Sequence, residues 1–239
     1  MKRPKIKLLI PNLVTLTGLS FGLSSIRFAF FEEFNIAVIC VLIAGVCDVL
    51  DGLFSRILKA ESDMGAELDS LSDFLSFGVA PGIILYFGLI DQNQIWGYVA
   101  ITSYIIFSCI RLAIFNINVS TNVLAEHRGY FMGIPTPAGA GLILSPLIHS
   151  FLGYDWGLDN PLVLNIYVVV IGLLLVIKIP TFSIKQIKGS INKKIYIRFF
   201  FAFVLLLMLM INFLWQFLSV FGIMYLLSIP FSFYSYNKN

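Results

Sequence analysis

Four aspartates, Asp48, Asp51, Asp69 and Asp73, stand as two pairs in the stretch DVLDGLFSRILKAESDMGAELDSLSD, residues 48 to 73. The members of the first pair are three residues apart and those of the second four, so on helices each pair lies on one face. Two helix ends joined by a short link bring the pairs together, and the four carboxylates then converge. Carboxylate oxygens without His or Cys suit a hard divalent ion (Mg²⁺, Mn²⁺ or Ca²⁺) rather than zinc. Two ions sharing carboxylates form the kind of centre used in phosphoryl displacement. Gly52 and Gly65 lack a Cβ and let a ligand or a backbone come close, and Ser55 is also small. Arg56, Lys59 and Ser62 add groups that can contact phosphate. The chemistry this predicts is a divalent-metal site for a diphosphate-containing substrate. Glu61 and Asp63 read as a solvated link, and Glu67 fits either role.

The elements that must position these groups are membrane helices. The chain has 239 residues, of which 59% are hydrophobic and 12% charged, against about 25% charged in soluble domains. The mean hydropathy is +0.91. Seven of the thirteen acidic residues nevertheless fall within residues 48 to 73. An acid inside the bilayer costs about 2.5–3.5 kcal/mol, so four would cost on the order of 10 kcal/mol without a cation to offset them. Arg56 alone supplies too little. The net charge of +3 gives nucleic-acid binding little support.

Apolar segments at roughly 12–31, 34–54, 70–90, 95–118, 133–153, 161–178, 195–213 and 215–234 are each about long enough to cross the hydrocarbon core. Continuous apolarity without alternation predicts helices, not a barrel. The expected fold is all-α: a polytopic membrane protein with about eight transmembrane helices, forming a single domain over 1–239. Its catalytic core is expected at about 8–178, with additional C-terminal spans at about 195–234. No small-residue cleavage site follows the first apolar run, so that run is expected to stay in the mature protein. Lys2, Arg3, Lys5 and Lys7 precede the first span, Arg56 and Lys59 follow the second, and Arg128 follows the fourth. Lys178, Lys185, Lys188, Lys193, Lys194 and Arg198 surround the link after the sixth. The opposite loops read FEEF, DQNQ and YDWGLDN, with no Lys or Arg. The positive-inside rule then puts both termini and the acidic stretch on the cytoplasmic side of the inner membrane. Arg27 is the exception and is expected to snorkel to the interface. Cys40, Cys47 and Cys109 lie in apolar stretches and read as small buried residues.

The stretch DVLDGLFSR, eight residues, then GAELDSLSD resembles the signature of the CDP-alcohol phosphotransferase family, D-x-x-D-G-x-x-A-R-x(8)-G-x-x-x-D-x-x-x-D. The one departure is Ser55, where the pattern has Ala. GAELDSLSDFLSFGVAPG, PNLVTLTGLSFG, IRLAIFNI and FMGIPTPAGAG resemble its phosphatidylserine synthase branch, and the likeness covers roughly residues 8 to 150. The resemblance implies transfer of the phosphatidyl group of CDP-diacylglycerol to the hydroxyl of L-serine, with release of CMP. It implies two metal ions (Mg²⁺ or Mn²⁺, with Ca²⁺ open), bridged by Asp48 and Asp69. Asp51 would complete the first site and Asp73 the second, and Asp73 would also be the base. Gly52, Arg56 and Ser62 would hold the CDP group beside Asn12 and Thr15, with Ser55 and Gly65 in the same lipid-nucleotide site. The family likeness also implies a homodimer.

Arg111, inside the fourth span, is either a structural pair or the group that holds the serine carboxylate or a lipid phosphate. Arg128 is an acceptor-side candidate or a plain orientation charge, and His127 beside it is expected to be solvated. PTPAGAG, residues 135 to 141, reads first as close helix packing through small residues and second as a bend shaping the polar-substrate pocket. Other acceptors, namely glycerol 3-phosphate, inositol phosphate or choline, stay open, as does an ether-linked lipid. A phosphorylated acceptor would demand more cationic side chains than Arg56, Arg111 and Arg128. An intramembrane prenyltransferase would need a second Asp motif, and a cation transporter would spread acids through several spans. Neither pattern is present: spans four to eight contain no Asp or Glu.

Overall fold

The structure is a computed structural model that describes residues 5–90, 95–120, 130–177, 180–182 and 212–238. It is helical apart from one short ribbon. The helices are α1 (Lys5–Phe30), α2 (Phe34–Ile57), α3 (Asp63–Asp73), a π-helical segment (Phe74–Val79), α4 (Ala80–Leu89) and α5 (Ile95–Ser120). After β1 (Tyr130–Met132) come α6 (Thr136–Phe151), the single turn α7 (Trp156–Asp159) and α8 (Pro161–Val176). Strand β2 (Pro180–Phe182) and α9 (Leu214–Lys238) complete the described chain. The strands pair antiparallel, with Phe131 opposite Thr181.

Four stretches are long and apolar enough to cross a bilayer: Leu9–Phe30, Phe34–Ile57, Asp63–Leu89 and Ile95–Ile117. They match the first four predicted spans. The fifth and sixth correspond to α6 and α8, of 16 residues each. At 1.5 Å per residue these reach about 24 Å, short of a hydrocarbon core of about 30 Å. The eighth lies within α9, and the seventh, 195–213, lies almost wholly outside the described residues. Large apolar side chains such as Leu13, Leu23, Val46, Val49, Leu162 and Ile166 are exposed. On a soluble protein this would be a liability; here it is the surface that meets lipid.

Small residues let the helices approach closely. A Cβ on Gly18 would sit 3.0 Å from Cys47 Cβ, which sets the α1–α2 contact. Behind them, Tyr104, Ile84, Leu85, Ile143, Leu164, Val168, Ile171 and Leu175 form the buried core.

Two local devices set the link that joins the Asp pairs. Helix α2 ends in a Schellman turn: Ala60 N–H donates to Ser55 O at 2.8 Å and Lys59 N–H to Arg56 O at 3.2 Å. Lys59 takes the left-handed position, φ +50°. Helix α3 then starts at once, with Ser62 as its N-cap accepting from Gly65 N–H at 3.1 Å. Asp63 in the first turn favours that end electrostatically. The chain therefore reverses within a few residues, and α3 runs back beside α2.

Beyond Asp73 the helix widens to the π segment before becoming α4. The Tyr104 hydroxyl donates to the Phe77 carbonyl at 2.8 Å, which satisfies a backbone acceptor in the irregular turn. Contacts between this long helix and α5 fix their relative depth. Asn116 Nδ2 donates to Ser70 Oγ at 2.9 Å near one end. Deeper in, a Cβ on Gly78 would sit 3.2 Å from Ser108 Cβ. These two contacts bracket Asp73 on one helix and Arg111 on the other, so both lie at about the same depth.

Candidate active site

Asp48, Asp51 and Asp69 come together as the spacing predicts. One oxygen from each of the three carboxylates lies within 4.8 Å of the other two. Asp51 is buried, while Asp48 and Asp69 are half-buried. The Thr15 hydroxyl on α1 reaches Asp51 Oδ2 at 2.5 Å and also the Pro11 carbonyl at 3.1 Å. Asp51 is thereby fixed from a third helix. Ser72 Oγ donates to the Thr15 carbonyl at 3.4 Å, tying α3 to the same turn of α1. Asp73 is one helical turn deeper than Asp69 and outside the trio, yet within electrostatic reach of Asp48, Asp69 and Asp51.

Like charges this close repel one another, and a divalent cation is the natural counter-charge. The all-oxygen donor set fits Mg²⁺, Mn²⁺ or Ca²⁺. The fit test is therefore met by three carboxylates from two helices, held in place by Thr15 and Ser72. Asp73 is positioned to join a second ion or to act on the acceptor.

Beside the trio opens a cavity of about 190 Å³, and six of the seven predicted CDP-lipid residues line it: Asn12, Thr15, Gly52, Ser55, Ser62 and Gly65. Asp51 and Asp69 form part of its wall. The two glycines differ in kind. A Cβ on Gly65 would press to 3.1 Å from both Asn12 Oδ1 and Ser62 Oγ, so protein packing requires that glycine. A Cβ on Gly52 would meet nothing nearer than Arg56 Nη2 at 3.8 Å. No protein atom explains Gly52, and its open side faces the cavity.

Arg56 is the one predicted CDP-lipid residue that does not line the cavity. It is exposed, and its Nε donates to the Gly52 carbonyl at 2.8 Å. Ser62 does line the cavity, but its hydroxyl also caps α3. Glu61, read from sequence as part of a solvated link, stands at the cavity edge. Arg111 is buried, its Nε donates to the Ile134 carbonyl at 3.1 Å, and the Phe115 ring lies 6.0 Å from its guanidinium carbon. Arg128 and His127 lie outside the described residues, as does most of the basic link from 178 to 198.

The PTPAGAG segment serves both predicted purposes. A Cβ on Gly139 would clash at 2.6 Å with Leu175 Cδ2, so this glycine is where α6 packs on α8. Gly141 has nothing within 4 Å and lines a second, apolar cavity with Pro137 and Ala138. Asn116 and Ser72, which hold the site together, went unremarked in the sequence. Short polar residues near the ends of apolar helices were the signal for them.

The family profile of the CDP-alcohol phosphatidyltransferases matches residues 8–175. Among similar curated proteins is a CDP-diacylglycerol–serine O-phosphatidyltransferase of Helicobacter pylori. It is 34% identical over 197 residues, 82% of this chain and 81% of that one. The enzyme of that name from Methanocaldococcus jannaschii is 36% identical over 183 residues, 74% of this chain and 76% of its own. Its namesake from Mycobacterium leprae is 36% identical over 174 residues, 72% of this chain, and this match spans 57% of that longer protein.

Proposed function

The chain belongs to the CDP-alcohol phosphatidyltransferase family, and we propose that it transfers the phosphatidyl group of CDP-diacylglycerol to the hydroxyl of L-serine. The products are phosphatidylserine and CMP. The observation that carries this reading is the placement of the Asp48–Asp51–Asp69 trio against the cavity lined by Asn12, Thr15, Gly52, Ser55, Ser62 and Gly65. The relatives named for the serine reaction support the choice of acceptor.

Members of the family use divalent metals, and here Asp48, Asp51, Asp69 and Asp73 hold two such ions, Mg²⁺ or Mn²⁺. Bound there, they supply neutralisation of the diphosphate and of the charge that builds on the departing CMP. The protein does the rest. Thr15 keeps Asp51 in place. Gly52 leaves room for the diphosphate to approach the backbone, while Asn12, Ser55, Ser62 and Gly65 surround the CDP group and Arg56 swings to it from the rim. Asp73 accepts the proton of the serine hydroxyl as its oxygen attacks the β-phosphorus of the lipid. Arg111 and Arg128 serve the acceptor. Attack is direct: no nucleophile besides the metal ligands stands in the trio.

The reading includes eight spans over one membrane domain, both termini and the active site on the cytoplasmic face of the inner membrane, and a homodimer. Lys and Arg placement supports the orientation, and family likeness supports the dimer. An active site at the membrane mouth lets CDP and serine arrive from water while the acyl chains stay in lipid.

The test is CMP release by the purified protein in detergent, with CDP-diacylglycerol and Mn²⁺ or Mg²⁺, comparing serine with glycerol 3-phosphate, inositol and inositol phosphate. Serine-dependent release, abolished by chelator, is the expected result. Release with another acceptor only would discard serine and keep the family.

A further inference from the structure

The C-terminal helix α9 lies beyond the residues matched by the family profile, yet it places a buried phenol near the site. The Tyr225 hydroxyl is buried and has no hydrogen-bond partner among the described residues. A buried tyrosine hydroxyl usually finds a partner. The ring is well held: Tyr225 lines an apolar cavity of about 220 Å³ together with Phe77, Pro137, Ala138 and Gly141. Ser228 Oγ donates to the Tyr225 carbonyl at 2.7 Å. The hydroxyl is thus presented from a fixed position.

Its neighbour is Arg111. The two lie within electrostatic reach of each other. Among the described residues the guanidinium makes one hydrogen bond, through Nε to the Ile134 carbonyl. The terminal nitrogens keep their donors for something else, and an unpaired cation inside a membrane protein marks a functional site. Guanidinium and phenol together offer several donors and a positive charge. An ionised carboxylate has two oxygens that only accept. A phosphate monoester would carry more charge than this one cation balances.

Depth makes the pair relevant to the reaction. Arg111 lies level with Asp73 across the contact between α5 and the α3–π helix. A small acceptor whose hydroxyl meets Asp73 can turn its carboxylate toward Arg111. We propose that Tyr225 and Arg111 together bind the carboxylate of the amino-acid acceptor, which makes Tyr225 a specificity-determining residue. The proposal rests on the serine reading above and extends it to a helix outside the family signature.

The experiment measures CMP release by the full chain in detergent with CDP-diacylglycerol and Mn²⁺, titrating serine against serinamide, which lacks the carboxylate. In the unaltered protein, serinamide should show a KM at least tenfold above that of serine. Tyr225→Phe should raise the serine KM about tenfold, leave the KM for CDP-diacylglycerol within twofold, and leave serinamide kinetics unchanged. Tyr98→Phe, at an exposed position, should alter none of these. A mere packing role for Tyr225 would move serine and serinamide alike. Serine-dependent turnover with equal KM values for serine and serinamide overturns the carboxylate subsite alone, even if Tyr225→Phe fails to fold. An unchanged serine KM in folded Tyr225→Phe removes Tyr225 from it. Turnover that ignores serine altogether overturns the serine reading, and this proposal with it.

Discussion

The two sides of the site are built differently. The nucleotide side draws its carboxylates and most of its lining from residues 48 to 73, joined by Asn12 and Thr15 of the preceding helix. The side around Arg111 is assembled from far-separated positions: Arg111 on α5, the Ile134 carbonyl before α6, and Tyr225 on α9. The first is a local motif folded on itself by one Schellman turn and one serine cap. The second exists only once distant helices have packed. A local motif fixes both residue types and spacing, so its chemistry can be read along the chain. A side made from distant segments leaves each residue looking like an isolated oddity in an apolar run.

If that division is functional, damage to the two sides should separate in the kinetics. The largest effect is expected at Asp73, which stands between them. Asp73→Asn removes the base but leaves the trio of Asp48, Asp51 and Asp69 complete. Turnover should fall at least a hundredfold, within the range for a general base. Binding of CDP-diacylglycerol, measured by direct titration, should stay within a few fold of the unaltered protein. A loss of turnover below about tenfold, which is less than about 1.4 kcal/mol of barrier, would take the base role from Asp73. Lost lipid-nucleotide binding would instead make Asp73 a member of the nucleotide side.

Much of the nucleotide side was legible from residue types alone. Paired carboxylates at helical spacing predicted the trio, and the cavity collects Asn12, Thr15, Gly52, Ser55, Ser62 and Gly65 around two of its members. The first four spans were equally plain, because length and apolarity decide them. What stayed hidden depends on long-range partners. Asn116 meets Ser70 across 46 residues, and Tyr104 meets the Phe77 carbonyl across 27. The π segment has no side-chain signature, since it arises where α5 presses on Gly78 and Tyr104 supplies a donor. Arg56 was misleading for the opposite reason: its type and spacing suit phosphate, but its side chain is folded back on the Gly52 carbonyl. A flexible exposed side chain keeps its reach, and sequence says nothing of where it rests.

A middle-sized effect distinguishes the two glycines of the nucleotide side. Gly52→Ala adds a methyl that meets no protein atom nearer than 3.8 Å, at a helical position. Folding should be unaffected, and replacing Gly with Ala inside a helix is mildly favourable by roughly 0.5–1 kcal/mol. If the diphosphate approaches the backbone there, CDP-diacylglycerol should bind at least tenfold more weakly while the thermal midpoint holds or rises. Gly65→Ala has the reverse signature: its methyl is crowded by Asn12 and Ser62 at 3.1 Å, so stability should drop along with binding. Normal CDP-diacylglycerol binding by Gly52→Ala would leave that glycine without a reason.

The smallest effect is expected at Ser55, the position where this chain departs from the family pattern. Its hydroxyl reaches only the Gly52 carbonyl, at 3.5 Å, within its own helix. That carbonyl already accepts from Arg56 Nε at 2.8 Å. A hydroxyl whose one contact is long and shared adds little, and its removal leaves no orphaned buried group. Ser55→Ala should therefore keep both KM values and turnover within about twofold, with stability changed by less than about 0.5 kcal/mol. A larger rise in the KM for CDP-diacylglycerol alone would mean that the hydroxyl contacts the nucleotide directly. The nucleotide side would then be tuned in this chain at a position where the family pattern has alanine. A change in the serine KM instead would break the division between the two sides, because Ser55 lies on the cavity wall with Gly52 and Ser62.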